Sequence, residues 1–113
     1  MFGFFRRRSM RDVTATELQG MIDRGEAIVV DVREPDEFAG GHIPGAINIP
    51  LSRFDPAALP DPGSRTLVLN CAGGKRSAMA LDRCAVAEAA VDTHLAGGFG
   101  AWRQAGLPVA QEG

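Results

Sequence analysis

The chain has 113 residues, 45% of them hydrophobic and 23% charged, the balance of one folded domain and not of a disordered or fibrous chain. Its net charge of −2 supplies no basic field for nucleic acid. No apolar run approaches the roughly 18 residues that a membrane-spanning helix needs.

The opening stretch, Met1-Phe2-Gly3-Phe4-Phe5-Arg6-Arg7-Arg8-Ser9-Met10, gathers three phenylalanines and three arginines. A secretory leader places its charges ahead of an apolar core of roughly 7–15 residues, whereas here the aromatics come first and no such core follows. Residues 1–11 are expected to form a flexible tail, with surface anchoring or partner docking as the sharper alternative. Residues 12–113 are expected to form a single domain, and the location to be cytoplasmic.

Thr14-Ala15-Thr16-Glu17 reads as a capping box, with Val13 and Leu18 placed for a hydrophobic staple. Leu18, Met21 and Ile22 continue at helical spacing, and Gly25 stops the helix. Ala27-Ile28-Val29-Val30-Asp31-Val32 is a continuous apolar run with an acid near its end, suited to a strand buried on both faces. Pro35 fits the first turn of a short helix carrying Asp36, Glu37 and Phe38. Gly40 to Gly45 is loop, residues 46–49 a short strand, and Asp61-Pro62-Gly63-Ser64 a turn. The spacing then predicts a strand over Thr66–Asn70, a helix over about residues 77–89 and a strand over residues 91–95. Gly97-Gly98 lead into a last helix with Phe99, Trp102 and Ala105, closed by Gly106 and Pro108; Trp102 is placed to pack this helix onto the sheet. Strands alternating with helices argue for an α/β layer with a mainly parallel sheet. In such sheets ligands sit beyond the carboxyl ends of the strands, where Asp31 and Cys71 fall.

The chemistry concentrates in Cys71-Ala72-Gly73-Gly74-Lys75-Arg76-Ser77, a loop between strand and helix. A thiol becomes a strong nucleophile on ionisation, and a helix N-terminus or nearby cations lower its pKa from about 8.5. Backbone N–H groups of residues 72 to 77 are able to curl around the sulfur as an anion nest, with Gly73 and Gly74 permitting the turn. Lys75 and Arg76 supply positive charge for an incoming oxyanion, and Arg76 has bracing of the loop as its alternative role. Cys84 would lie about 10 Å along a helix starting at Ser77, beyond the about 7 Å between Cα atoms that a disulfide tolerates. No bridge is expected, in keeping with a reducing compartment. Two cysteines and the distant His42 and His94 make a poor zinc set, so no metal is expected.

In these motifs the chain resembles the rhodanese family of sulfurtransferases over about residues 12–108. The resemblance is carried by Val30-Asp31-Val32-Arg33-Glu34, Glu37-Phe38, residues 41–50 (Gly-His-Ile-Pro-Gly-Ala-Ile-Asn-Ile-Pro), Cys71 through Ser77, and residues 94–102 (His-Leu-Ala-Gly-Gly-Phe-Gly-Ala-Trp). It implies a rhodanese-like α/β fold, with a central five-stranded, mainly parallel sheet and helices on both sides. It also implies that Cys71 is the catalytic residue, taking a sulfane sulfur from thiosulfate or a persulfide and passing it from a Cys71 persulfide to a thiophilic acceptor. Ala72, Gly73, Gly74, Lys75, Arg76 and Ser77 would bind the substrate. Asp31, Arg33, Glu37 and His42 would support the site, and His94 reads as structural.

The implied partners are small sulfur-containing anions and thiols and a protein sulfur acceptor, with no metal, organic cofactor, nucleic acid or integral membrane segment. Related phosphatases and arsenate reductases carry one residue more between the cysteine and the arginine than the four found here, which opposes that chemistry. A sulfur-relay or redox-signalling binding module with little independent catalysis is the alternative reading. Asn70 departs from the aromatic or histidine common before the cysteine in relatives, and the stretch Ala87-Glu88-Ala89-Ala90 lacks the glycine often found at that helix end.

Overall fold

The two continuous apolar runs of the chain become adjacent central strands. In a computed structural model, which describes residues 10–111, β1 (Arg11–Val13), β2 (Ala27–Asp31), β3 (Ile47–Asn48), β4 (Thr66–Asn70) and β5 (Thr93–Leu95) form one five-stranded sheet in the order β1-β5-β4-β2-β3. Every strand pair is parallel. Between them lie α1 (Ala15–Asp23), α2 (Pro35–Gly40), α3 (Lys75–Val86) and, after β5, α4 (Gly98–Gln104). The tail expected over residues 1–11 falls outside the described residues as far as residue 9; Met10 is exposed and Arg11 already belongs to β1.

Side chains alternate across a strand, so each central strand feeds two cores. On one face Val30, Leu67 and Leu69 pack against Ala80, Leu81 and Cys84 of α3. On the other, Val29, Val68 and Leu95 pack against Ala15 and Leu18 of α1 and Phe99 and Trp102 of α4. Trp102 is fully buried, and its indole N–H donates to the Pro108 carbonyl at 2.7 Å, fastening the end of the chain over α4. Burial of such large side chains is the main stabilising term, on the order of 1.5–3 kcal/mol each.

Local signals placed most helix ends. The Thr14 hydroxyl accepts the Glu17 N–H at 3.1 Å, while the Glu17 carboxylate accepts the Thr14 N–H at 2.8 Å. Pro35 sits in the first turn of α2, and Gly25 and Gly106 take left-handed φ values of 69° and 73° just past α1 and α4. The helix expected over about residues 77–89 differs at both ends, running from Lys75 to Val86. Gly74, with φ 105°, turns the chain directly into it without a side-chain cap. At the far end Glu88 takes the left-handed turn (φ 58°) that glycine ordinarily fills. Strand β1 carries no signal as an element of its own, and β5 begins at Thr93, two residues later than the periodicity predicts.

No helix among the described residues is long and apolar enough to cross a membrane. Both cysteines are buried thiols.

Candidate active site

Strand β4 delivers Cys71 to the carboxyl edge of the sheet, and the early start of α3 shapes the loop around it. The Gly74 and Ser77 N–H groups donate to the Cys71 sulfur at 3.1 and 3.3 Å, so the first turn of the helix wraps the sulfur. A loop this tight must aim its carbonyls elsewhere, and α4 receives them. Phe99 N–H donates to the Cys71 carbonyl at 2.7 Å and Gly100 N–H to the Ala72 carbonyl at 3.0 Å. The two segments touch at Gly98, where a Cβ would stand 2.5 Å from the Cys71 carbonyl oxygen and 2.7 Å from Ala72 backbone atoms. Gly98 also has φ 61°, so both space and conformation require glycine.

Burial pushes the Cys71 thiol up, and the Ser77 N–H and hydroxyl, with the Gly74 and Gly73 N–H groups, more than offset it. The net shift is downward, toward the thiolate. Ala72, Gly73 and Lys75 are exposed at the mouth of the loop, while Ser77 is buried beneath the sulfur.

The two loop cations have separate fates. Arg76 donates from both terminal nitrogens to Glu37 on α2, at 2.8 and 3.0 Å, and so spans the loop to the neighbouring helix. The Arg76 guanidinium holds the Glu37 carboxyl down at about 2, against an ordinary value of 4.5. Lys75 has no ion-pair partner among the described residues.

Asp31 and Arg33 lie under this layer as a buried pair. Arg33 Nη2 reaches the Asp31 carboxylate at 2.8 Å and the Gly41 carbonyl at 2.7 Å, and its guanidinium stacks 4.5 Å from the Phe99 ring centroid. The pair joins β2, the end of α2 and α4. His42 is tied to α2 and to the end of the described residues: its Nδ1 lies 2.7 Å from the Phe38 carbonyl, its ring stacks on Phe38, and its backbone pairs with Ala110. Asn70 donates to Asp31 at 3.5 Å, so the atypical residue before Cys71 joins the buried Asp31–Arg33 pair.

One connection had no signal in the sequence. The Ser77 hydroxyl, 3.6 Å from the Cys71 sulfur, is 2.8 Å from His94 Nδ1, and His94 Nε2 is 2.9 Å from the Asp12 carboxylate. His94 and Asp12 are register partners on β5 and β1 and are separated by 82 positions along the chain. Only the pairing of β1 with β5 brings them together.

Known proteins resemble this chain in sequence and in fold. The family described as rhodanese-like domain matches residues 14–105. A protein of Synechocystis, itself described as uncharacterized, is 46% identical over 91 residues, covering 80% of this chain; the chain spans only 51% of that relative. A sulfurtransferase of Allochromatium vinosum is 34% identical over 96 residues, covering 84% of this chain and 90% of its own length. The solved structure of a rhodanese-related protein from Thermoplasma volcanium superposes with a TM-score of 0.76 at 32% identity, covering 90% of this chain and 99% of the other.

Proposed function

The chain belongs to the rhodanese-like domain family, and from that premise we propose that it moves a sulfane sulfur from thiosulfate or a persulfide donor to a thiophilic acceptor, in the cytoplasm, through a persulfide on Cys71. The observation that carries this reading is the pair of N–H groups, from Gly74 and Ser77, at 3.1 and 3.3 Å from the Cys71 sulfur.

The Cys71 thiolate attacks the outer sulfur of thiosulfate. A new sulfur–sulfur bond forms as the old one breaks, and sulfite leaves with the bonding pair. The persulfide terminus carries the negative charge within the loop of N–H groups, where preorganised donors stabilise it without reorganisation. An acceptor (cyanide in an assay, a small thiol or a protein thiol in the cell) then takes the outer sulfur and regenerates the Cys71 thiolate. The scheme is covalent catalysis with ping-pong kinetics. Exposed Lys75 supplies charge for the donor's oxyanion, whereas Arg76 is committed to Glu37 and acts on the loop's shape. The four residues from Ala72 to Lys75 leave a cradle for one added sulfur atom, not for a tetrahedral oxyanion bound over the nucleophile.

Intact mass before and after thiosulfate, with and without reductant, tests the proposal. A reducible gain of one sulfur atom in the wild type, absent from Cys71→Ser, is expected. Failure to load from thiosulfate and from low-molecular-weight persulfides alike overturns it, and favours a binding module.

A further inference from the structure

Ser77 forms a junction between the nucleophile and a histidine–carboxylate pair on the outer strands. Asp12 is an acceptor, so the 2.9 Å contact requires the proton of neutral His94 on Nε2. That leaves Nδ1 as an acceptor facing the Ser77 hydroxyl at 2.8 Å, a shorter contact than the 3.1 Å to the Gly74 carbonyl. Ser77 Oγ in turn accepts from the Cys71 thiol at 3.6 Å. The donors therefore run in one direction, from Cys71 through Ser77 to His94, with Asp12 holding the far side of the ring.

We infer that His94, oriented by Asp12, is the proton acceptor that deprotonates Cys71 through the Ser77 hydroxyl. The inference rests on Cys71 being the nucleophile of the proposed reaction. As the Cys71 S–H bond breaks, its proton joins Ser77 Oγ; the hydroxyl's own proton passes to His94 Nδ1. Thiolate and imidazolium appear together and net charge is unchanged. The relayed hydroxyl then points at the thiolate as a donor, so the same contact that removed the proton stabilises the product. Asp12, with its side chain 64% exposed, offsets the imidazolium charge and opens the end of the chain to water.

His94 is nearly enclosed, and the elements around it are few. Strand β1 faces it with Asp12, α3 with Ser77, and β4 sets Leu69 beside it in register. Asp12 and, through Ser77, Cys71 are the ionisable groups in its hydrogen-bond network. His94 touches neither the sulfur nor a donor, so it is a positioning residue, and the reactivity of the thiol is the property it should change.

The test is the pH dependence of iodoacetamide alkylation at Cys71, read by mass spectrometry of the Cys71 peptide, in wild type, His94→Gln and Asp12→Asn. Glutamine retains a donor toward Asp12 and removes the Nδ1 acceptor. Its alkylation midpoint should rise by about one pH unit, lowering the rate at pH 7 about tenfold. Asp12→Asn should shift the midpoint in the same direction by less, with its thermal transition kept. A wild-type midpoint in His94→Gln, with cooperative unfolding retained, overturns the relay. Asp12 lies at the surface, and an unmoved midpoint in its variant overturns the relay equally if the histidine variant does not fold. Alkylation needs no sulfur donor, so the two readings fail separately. A wild type that never takes up sulfur defeats the proposed reaction alone, whereas sulfur uptake with an unmoved midpoint in the folded variants defeats the relay alone.

Discussion

Arg76 and Glu37 form a two-pronged pair, with Nη1 on Oε1 at 2.8 Å and Nη2 on Oε2 at 3.0 Å, between the Cys71 loop and α2. The geometry ties one of the two loop cations to α2 as a strut. Glu37 Oε1 also accepts the Glu34 N–H at 3.0 Å, so the strut ends on a carboxylate already fixed to the start of α2.

The pair makes stability depend on acid in a defined window. Glu37 titrates near 4.5 in an unfolded chain and at about 2 when folded. Its contribution is therefore complete above about 4.5 and is lost as pH falls through about 2. Side chains about one-third exposed are screened, so the contribution should stay below about 1 kcal/mol. Urea unfolding followed by Trp102 fluorescence should separate wild type from Glu37→Gln at pH 6, and the two curves should converge toward pH 2. A gap that stays constant over this range would remove the pair as its source.

Gly98→Ala should damage the site more than the fold's size suggests. The added methyl meets the Cys71 carbonyl oxygen at 2.5 Å, and the residue keeps φ 61° at a cost of about 1–3 kcal/mol. We expect a lower melting temperature and at least a tenfold loss of kcat/KM for sulfur transfer. An alanine variant with wild-type turnover would mean that the loop carbonyls do not need α4.

Lys75 offers a cleaner substitution, because it is exposed and has no ion-pair partner among the described residues. Lys75→Glu should raise KM for thiosulfate about tenfold, more at low salt than at high, without changing the melting temperature. Equal KM values at low ionic strength would assign the anion to backbone donors alone.

Arg33→Ala removes one partner of a buried ion pair and strands the fully buried Asp31 carboxylate. The expected loss is about 3–5 kcal/mol in chemical denaturation. Adding Asp31→Asn to the same chain should recover part of it, since an amide tolerates burial better than an unpaired charge. No recovery would place the main cost in Arg33's contacts with Gly41 and Phe99.

What could be read from the chain was local. The Thr14–Glu17 box, the apolar run before Asp31 and the cysteine loop each carry their physics within a few residues. The helix expected from about residue 77 starts earlier, because a left-handed Gly74 turns the chain into α3 without a side-chain cap. Arg76 carried two readings because its partner lies 39 positions away on α2. His94 and Asp12 were opaque for the same reason at greater range: β1 is three residues long, and neither strand announces its neighbour.

The Cys71 loop and α4 hold each other in place. Phe99 and Gly100 take up two of the loop's carbonyls, and His94 meets Asp12 only where β1 lies beside β5. The surroundings of one sulfur atom thus draw on both the first strand and the last helix of the described residues.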